Sequence, residues 1–345
     1  MNSVDDLWHF FETWREDIRS WPEPKASLSV RFGSGLIRHS LHGTNLADTY
    51  AGAVRIEPNQ GPLRKYLEIH IIDGAECGVA LPRLGWGPSD FGLKRRVPGW
   101  SNATKTTYLL RTERGVAVAD WREQRAFVWL PSHNVLPWWE RAAPLRWLLD
   151  GLAQTLGLVV VHAAVVGKGG RGIMIGGPGG IGKSTLALAC VARGMDYVSD
   201  DYCLLTQADA PTAANLFTTA KLEKHSPMIK SIARRLKPTS TDMSGDKAIF
   251  FLRPDQIVPE LRIQAIVLPR FAEQTRIEPV SSQEGMQQIA PSSIAQSEAD
   301  GAFLARSLAT LTRAVPVYRL HSSPDLDRCA GMISDIVDNE PTIHP

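Results

Sequence analysis

The sequence predicts an α/β chain in two parts. A smaller antiparallel β-rich domain covers residues 1–150, and a domain organised around a strand, a glycine-rich turn and a helix covers 151–345. Three observations carry this. The apolar run Gly172-Ile173-Met174-Ile175 leads into Gly177-Pro178-Gly179-Gly180-Ile181-Gly182-Lys183-Ser184, and a leucine- and alanine-rich segment, 186–193, follows and is closed by Gly194. All ten tryptophans fall between Trp8 and Trp147, so the first part has a different core from the second. Between residues 26 and 130, short β-branched and aromatic runs are punctuated by Gly, Pro and Asn, the pattern of a hairpin-rich sheet.

In chain order, Leu7, Trp8, Phe11, Trp14 and Ile18 recur at helical spacing and predict an amphipathic helix over 4–20, stopped by Trp21-Pro22-Glu23-Pro24. Strands are predicted over 27–32, 66–72, 106–111, 116–120 and 126–130, with turns at Glu113-Arg114-Gly115 and Arg122-Glu123-Gln124 joining the last three. Lys94-Arg95-Arg96 and Trp100 form a small basic-aromatic patch, read either as a solvated loop or as a seat for an acidic peptide. A Trp-rich helix over 138–156 then leads to the second domain.

The spacing of residues 177–184 is G-x-x-x-x-G-K-S, that of a phosphate-binding loop. Glycine at 177, 179, 180 and 182 admits positive φ and lets backbone N–H groups approach a polyphosphate without an intervening Cβ. The following helix aims its partial positive end at the same point. Lys183 is expected at the β- and γ-phosphates of ATP, and the Ser184 hydroxyl, with Thr185 beside it, at Mg²⁺. The strand predicted over 195–199 delivers Asp200 and Asp201 at its carboxyl end, where ligands of open α/β sheets bind. One carboxylate can hold Mg²⁺ and the other can take a hydroxyl proton; we assign Asp200 as base and Asp201 to the metal with Ser184.

Upstream, residues 158–166 and 172–175 flank Gly167-Lys168-Gly169-Gly170 and predict a hairpin that sets His162 roughly opposite Ile175. His162 is then either a satisfied core histidine or a group that orients Asp200 or the γ-phosphate.

The histidine ahead of the loop, the Gly-x-Gly-Lys-Ser loop and the Val198-x-Asp200-Asp201 element resemble the catalytic domain of HPr kinase/phosphorylase over about residues 158–205. The wider HPr-kinase-like group includes kinases of ribosomal precursor peptides such as lasso peptides, which the chain also resembles. The resemblance implies a P-loop kinase domain of HPr-kinase type, ATP at Gly177 to Ser184, the Asp200-Asp201 pair as base and metal ligand, and His162 as a supporting group. It favours phosphoryl transfer to a serine of a precursor peptide or small protein, with the amino-terminal domain binding substrate or leader. A small-molecule or polynucleotide kinase and a nucleotide-gated binding protein or ATPase stay open as alternatives.

Downstream, Lys221, Lys224, Lys230, Arg234, Arg235 and Lys237 form a basic cluster, read as a solvated helix face or a grip on phosphates or an acidic peptide. Lys247 and Arg270, at strand ends, are further candidates for phosphate or transition-state contacts. Residues 281–297 are polar and read as a surface loop or mobile lid. A helix near 303–312, a strand over 315–320 and a helix from Pro324 capped by Ser323 complete the chain.

Composition bounds these readings. With 345 residues, 43% of them hydrophobic, the chain can bury two cores, and a net charge of +2 implies no strong attraction to nucleic acid or membrane. Four cysteines without metal-site spacing suit small buried thiols in a reducing compartment. The acidic start and the shortness of every apolar run exclude a secretory signal and a spanning helix, so a cytoplasmic protein is expected. A homo-oligomer is compatible with all of this.

Overall fold

A computed structural model describes residues 1, 3–16, 24, 26–57, 63–85, 96–110, 115–206, 210–298 and 300–339. The predicted helix stop at 21–23, Lys94 and Arg95 of the basic patch, and positions 113–114 of a predicted turn lie outside them. The chain divides into two compact units, Met1–Thr155 and Leu156–Pro345.

The first unit holds α1 (Val4–Glu16), β1 (Ala26–Phe32), β2 (Gly35–His42), α2 (Leu46–Ala51), β3 (Lys65–Asp73), α3 (Gly74–Cys77), β4 (Arg96–Ser101), β5 (Lys105–Leu109), β6 (Val116–Asp120), β7 (Arg125–Leu130), α4 (Trp138–Ala142) and α5 (Arg146–Thr155). Among the described residues these strands form one seven-stranded sheet in the order β1-β2-β3-β7-β6-β5-β4. The apolar face of α1, with Leu7, Trp8 and Phe11, packs on Phe127, Val118 and Val116. Phe11 and Phe127 stack at 5.3 Å between ring centroids. Full burial of side chains this size stabilises by roughly 1.5–3 kcal/mol each.

Two expectations for this unit are corrected. The sheet is mixed rather than antiparallel, because β2 pairs β3 and β3 pairs β7 in parallel. Parallel neighbours need long crossovers, and the connections carrying α2, and then α3 with β4 to β6, supply them. The helix expected over 138–156 is two helices: Pro144 cannot continue α4, and Leu145 at φ 56° turns the chain before α5 starts.

The second unit holds β8 (Val159–Val161), β9 (Ala164–Lys168), β10 (Arg171–Ile175), α6 (Lys183–Val191), β11 (Asp196–Ser199), β12 (Cys203–Thr206), β13 (Thr212–Asn215), β14 (Thr219–Glu223), α7 (Ile229–Leu236), β15 (Ser240–Asp242), β16 (Lys247–Phe251), β17 (Glu260–Phe271), β18 (Arg276–Val280), α8 (Ser282–Gln296), α9 (Gly301–Ala314), β19 (Val317–Ser322) and α10 (Leu326–Asp338). Its main sheet runs β11-β9-β10-β17-β13-β12-β8, with β19 paired to β17 and β18, and β14-β16-β15 forms a separate small sheet. The centre is parallel: β10 pairs β17 and β17 pairs β19. One face of the sheet is covered by α6 and α10 with Ala265, Val267, Ile173 and Ile175, and the other by α8 and α9 with Met174, Ile266 and Leu268. This is a mixed α/β architecture with helices on both faces.

The β9–β10 hairpin turns at Gly169 and Gly170, both at positive φ, but its register differs from the expected one. Ile175 pairs with Ala164, not with His162. The apolar run over 158–166 is broken at His162-Ala163, so that β8 leaves the hairpin and pairs with β12 instead. The polar stretch at 281–297 is not a loop: it forms α8, whose first turn is capped by Ser281 Oγ accepting from the Glu284 N–H at 3.2 Å. Gly285, Ile289, Ala290 and Ser293 are its buried positions. The last helix starts at Leu326 with Asp325 as its cap, and Ser323 accepts from the Asp325 N–H instead. All four cysteines are free; Cys190, Cys203 and Cys329 are buried and Cys77 is partly so. Among the described residues no helix is long and apolar enough to cross a membrane.

Candidate functional site

The carboxyl ends of β10, β11 and β17 converge, and the candidate residues gather there. Gly176 donates its N–H to Val267 O at 3.0 Å, which anchors the start of the glycine-rich loop to β17. The loop then runs through Gly177 (φ 130°), Gly180 (φ 79°) and Gly182 (φ 94°), backbone conformations that side chains resist. A Cβ at Gly179 or Gly180 would meet nothing within 4 Å, so open space lies beside both. Gly182 caps α6, whose first residues are Lys183, Ser184 and Thr185. Lys183 Nζ donates to Gly177 O at 2.9 Å and to Pro178 O at 3.0 Å, folding its ammonium over the loop from within. Burial lowers the Lys183 pKa, the Asp201 and Asp200 carboxylates oppose that, and Lys247 adds to it.

Asp200 and Asp201 follow β11 directly. Ser184 Oγ donates to Asp200 O at 3.4 Å, tying the first turn of α6 to the acidic pair. The two carboxylates sit in different surroundings. Asp200 is buried; its Oδ1 accepts from Tyr197 OH at 3.2 Å and its Oδ2 from the Lys221 N–H at 2.8 Å. Burial pushes its pKa up, with the neighbouring Asp201 charge acting in the same direction and Lys221 against it. Asp201 keeps 23% of its side chain exposed and lies 2.7 Å from His162 Nε2 and 2.6 Å from Lys221 Nζ. Burial alone would raise Asp201, but the Lys221 ammonium and the His162 hydrogen bond override it and hold the carboxyl well below its ordinary range.

His162 lies in the break between β8 and β9, and that break is what aims it. Its N–H donates to Ser293 Oγ at 3.2 Å, while Ala163 O accepts from Ser199 Oγ at 3.0 Å, so backbone groups freed from the ladder find side-chain partners. Gln296 Nε2 lies 3.1 Å from His162 Nδ1. An amide donor there makes Nδ1 the acceptor and leaves Nε2–H to donate to Asp201. Tyr202 OH donates to Gln296 Oε1 at 2.5 Å, and its ring lies 5.7 Å from the His162 ring. The histidine therefore contacts Asp201 rather than Asp200.

Several contributors, Ser293, Gln296 and Lys221 among them, carry no sequence signal that marks them as members of the site. Ser293 and Gln296 lie in the stretch read as a loop, and only helical spacing from Ile289 could have placed them together. Lys221 was grouped with the downstream basic cluster, yet β14 carries it alone to the acidic pair. The rest of that cluster is a solvated face: Lys230, Arg234, Arg235 and Lys237 are exposed around buried Ile232 and Leu236, and Arg235 pairs with Asp327 at 2.8 Å. Lys247 pairs with Glu223 at 3.0 Å. Arg270 is exposed at the end of β17.

No family model matches the chain, and no curated protein matches it. Among solved structures, it is similar to the HPr(Ser) kinase/phosphatase from Coxiella burnetii at 14% identity, covering 52% of this chain and 94% of that chain with a TM-score of 0.30.

Proposed function

We propose that the chain is an ATP-dependent kinase that transfers a phosphoryl group to a hydroxyl, with a serine of a ribosomal precursor peptide or small protein as the favoured acceptor. The observation that carries this reading is the joining of the loop to the acidic pair: Lys183 and Ser184 open α6, and Ser184 Oγ reaches Asp200 O at 3.4 Å.

The residues fit both groups the reading requires. Loop glycines with left-handed backbone beside open space suit a polyphosphate, and Ser184 and Asp201 each carry a hard oxygen donor of the kind Mg²⁺ prefers. When bound, Mg-ATP supplies the transferable γ-phosphoryl and a cation that offsets its charge. Lys183, already held over the loop, would neutralise phosphate oxygens as charge moves toward the leaving group. Asp200 would accept the hydroxyl proton as the acceptor oxygen bonds to phosphorus and the bridging P–O bond to ADP breaks. A carboxyl raised by burial is better suited to that task than one held low. Asp201, kept ionised beside Lys221 and oriented by His162, would be the metal ligand. The first unit would bind the acceptor or its leader.

Mass spectrometry after incubation with Mg-ATP and candidate peptides tests the reading, with Asp200→Asn as control. Phosphate on a peptide serine, absent with Asp200→Asn, is expected. Transfer only to a small molecule or polynucleotide, or hydrolysis with no acceptor, would replace the peptide assignment. A photo-crosslinking peptide that labels the second unit alone would remove the role given to the first.

A further inference from the structure

Among the described residues the most exposed large apolar side chain is Phe271, at 67%. It ends β17, and strand alternation fixes where it projects. Ala265 and Val267 of the same strand pack into the core beneath α6, and Phe271 shares their parity, so it projects on the same face but beyond the amino end of that helix. There its ring faces the loop: a Cβ on Gly182 would stand 3.6 Å from Phe271 Cε1 and 3.7 Å from Cζ. The backbone of this segment is held, since Phe271 pairs with Ser322 and Ala272 donates to Ser322 O at 3.0 Å. One edge of an aromatic ring on a fixed backbone thus faces the residue preceding Lys183 across the space a side chain there would fill, and most of its surface is exposed.

The geometry points to Phe271 as the platform on which the base of a purine nucleotide stacks, with the phosphates in the adjoining loop. The inference rests on the phosphate-loop reading of residues 177–184 and deepens it. A ring left in water forgoes its burial free energy unless a second apolar or π surface covers it. A base attached to phosphates in this loop is the partner whose position the loop itself sets. Stacking on a phenyl face carries no hydrogen-bond readout, so adenine and guanine nucleotides should bind within a few-fold of one another, ahead of pyrimidine nucleotides.

Calorimetric titration of the full chain with Mg-ATP and with inorganic tripolyphosphate separates the two layers. Phe271→Ala should weaken ATP roughly 5- to 150-fold and leave tripolyphosphate affinity unchanged, while Phe271→Trp should bind ATP at least as well as the parent. Unaltered tripolyphosphate binding doubles as the check that the variant is folded. Phe271→Ala that binds both ligands like the parent would overturn the stack and leave the loop assignment standing. Equal weakening of both ligands would also overturn it, because the ring would then serve the loop and not the base. A parent chain that binds neither ligand would overturn the loop reading, and the stack with it.

Discussion

Lys221 Nζ sits 2.6 Å from Asp201 Oδ2, while the backbone N–H of the same lysine donates to Asp200 Oδ2 at 2.8 Å. One residue of β14 thus holds both members of the acidic pair by different groups, and only the side-chain half can be removed by mutation. Lys221→Met should spare the Asp200 contact and leave Asp201 without its cation. Breaking such a pair costs about 3 kcal/mol, and the Asp201 carboxyl then titrates at higher pH than in the parent. The stability deficit relative to the parent should therefore shrink as pH falls through the new pKa, since protonation removes the unpaired charge. Circular-dichroism melts of both proteins between pH 4 and 8 measure this.

Transfer should fail on the acid side. Burial raises the Asp200 pKa, and a base must be ionised to accept a proton, so the acid limb of the rate is expected above the ordinary aspartate value of about 3.9. Asp200→Asn should remove that limb together with roughly 10²- to 10⁴-fold of the rate, with nucleotide affinity changed only a few-fold. Single-turnover rates across pH, set against calorimetric Kd values, supply both readouts.

Lys183→Ala removes an ammonium that contacts Gly177 O and Pro178 O from inside the loop. Affinity for Mg-ATP should fall by roughly 10²-fold, the scale of one or two charge-assisted contacts. An unchanged Kd would end the assignment of this loop to phosphates.

The first unit should weaken in mild acid. His39 is fully buried with neither ring nitrogen hydrogen-bonded among the described residues, and burial lowers its pKa to about 4; His70, also mostly buried, is lowered to about 4. The unfolded chain takes up these protons near pH 6.5 and the folded one only near 4. The neutral histidines thus contribute their full stability above about pH 6.5 and lose it as pH falls toward 4, about 3 kcal/mol for His39 alone. All ten tryptophans lie between Trp8 and Trp147, so tryptophan fluorescence in urea reports this unit. His39→Leu should flatten the loss.

Gly176 marks the tightest packing behind the loop: a Cβ there would stand 2.5 Å from Ile289 Cγ1. Gly176→Ala should destabilise by about 1–3 kcal/mol through overpacking, and Ile289→Ala introduced beside it should return part of that. Thermal melts of the single and double variants decide the matter.

The strand, glycine turn and helix around Lys183 were legible because each is written locally, in β-branched residues, glycines at fixed spacing and a helix-forming run. What decides His162 is not local. Residues 158–166 are apolar on both faces, as strands inside a covered sheet are, so no alternation marks the point at which β8 parts from β9. The hydroxyls of Ser199 and Ser293, distant in sequence, meet backbone groups at that break. Helix α8 is hidden in the sequence for a related reason: its composition is polar, it contains Pro291, and one of its buried positions is a serine serving His162. Parallel pairing in the first unit depends on crossovers whose course local patterns do not encode.

Strand β17 bears on assembly as well as on chemistry. It is the parallel neighbour of β10, and between them in the chain lie β11 to β16, α6 and α7. A loop whose root is fastened by the Gly176 to Val267 hydrogen bond cannot be fixed until that distant strand has been made and docked. The loop is therefore rooted by a contact distant in the chain, which local folding of β10 and α6 alone does not supply. If the loop binds nucleotide as proposed, ribosome-bound chains that stop short of β17 should gain no stability from it, and ligand rescue of folding would begin only once β17 has emerged.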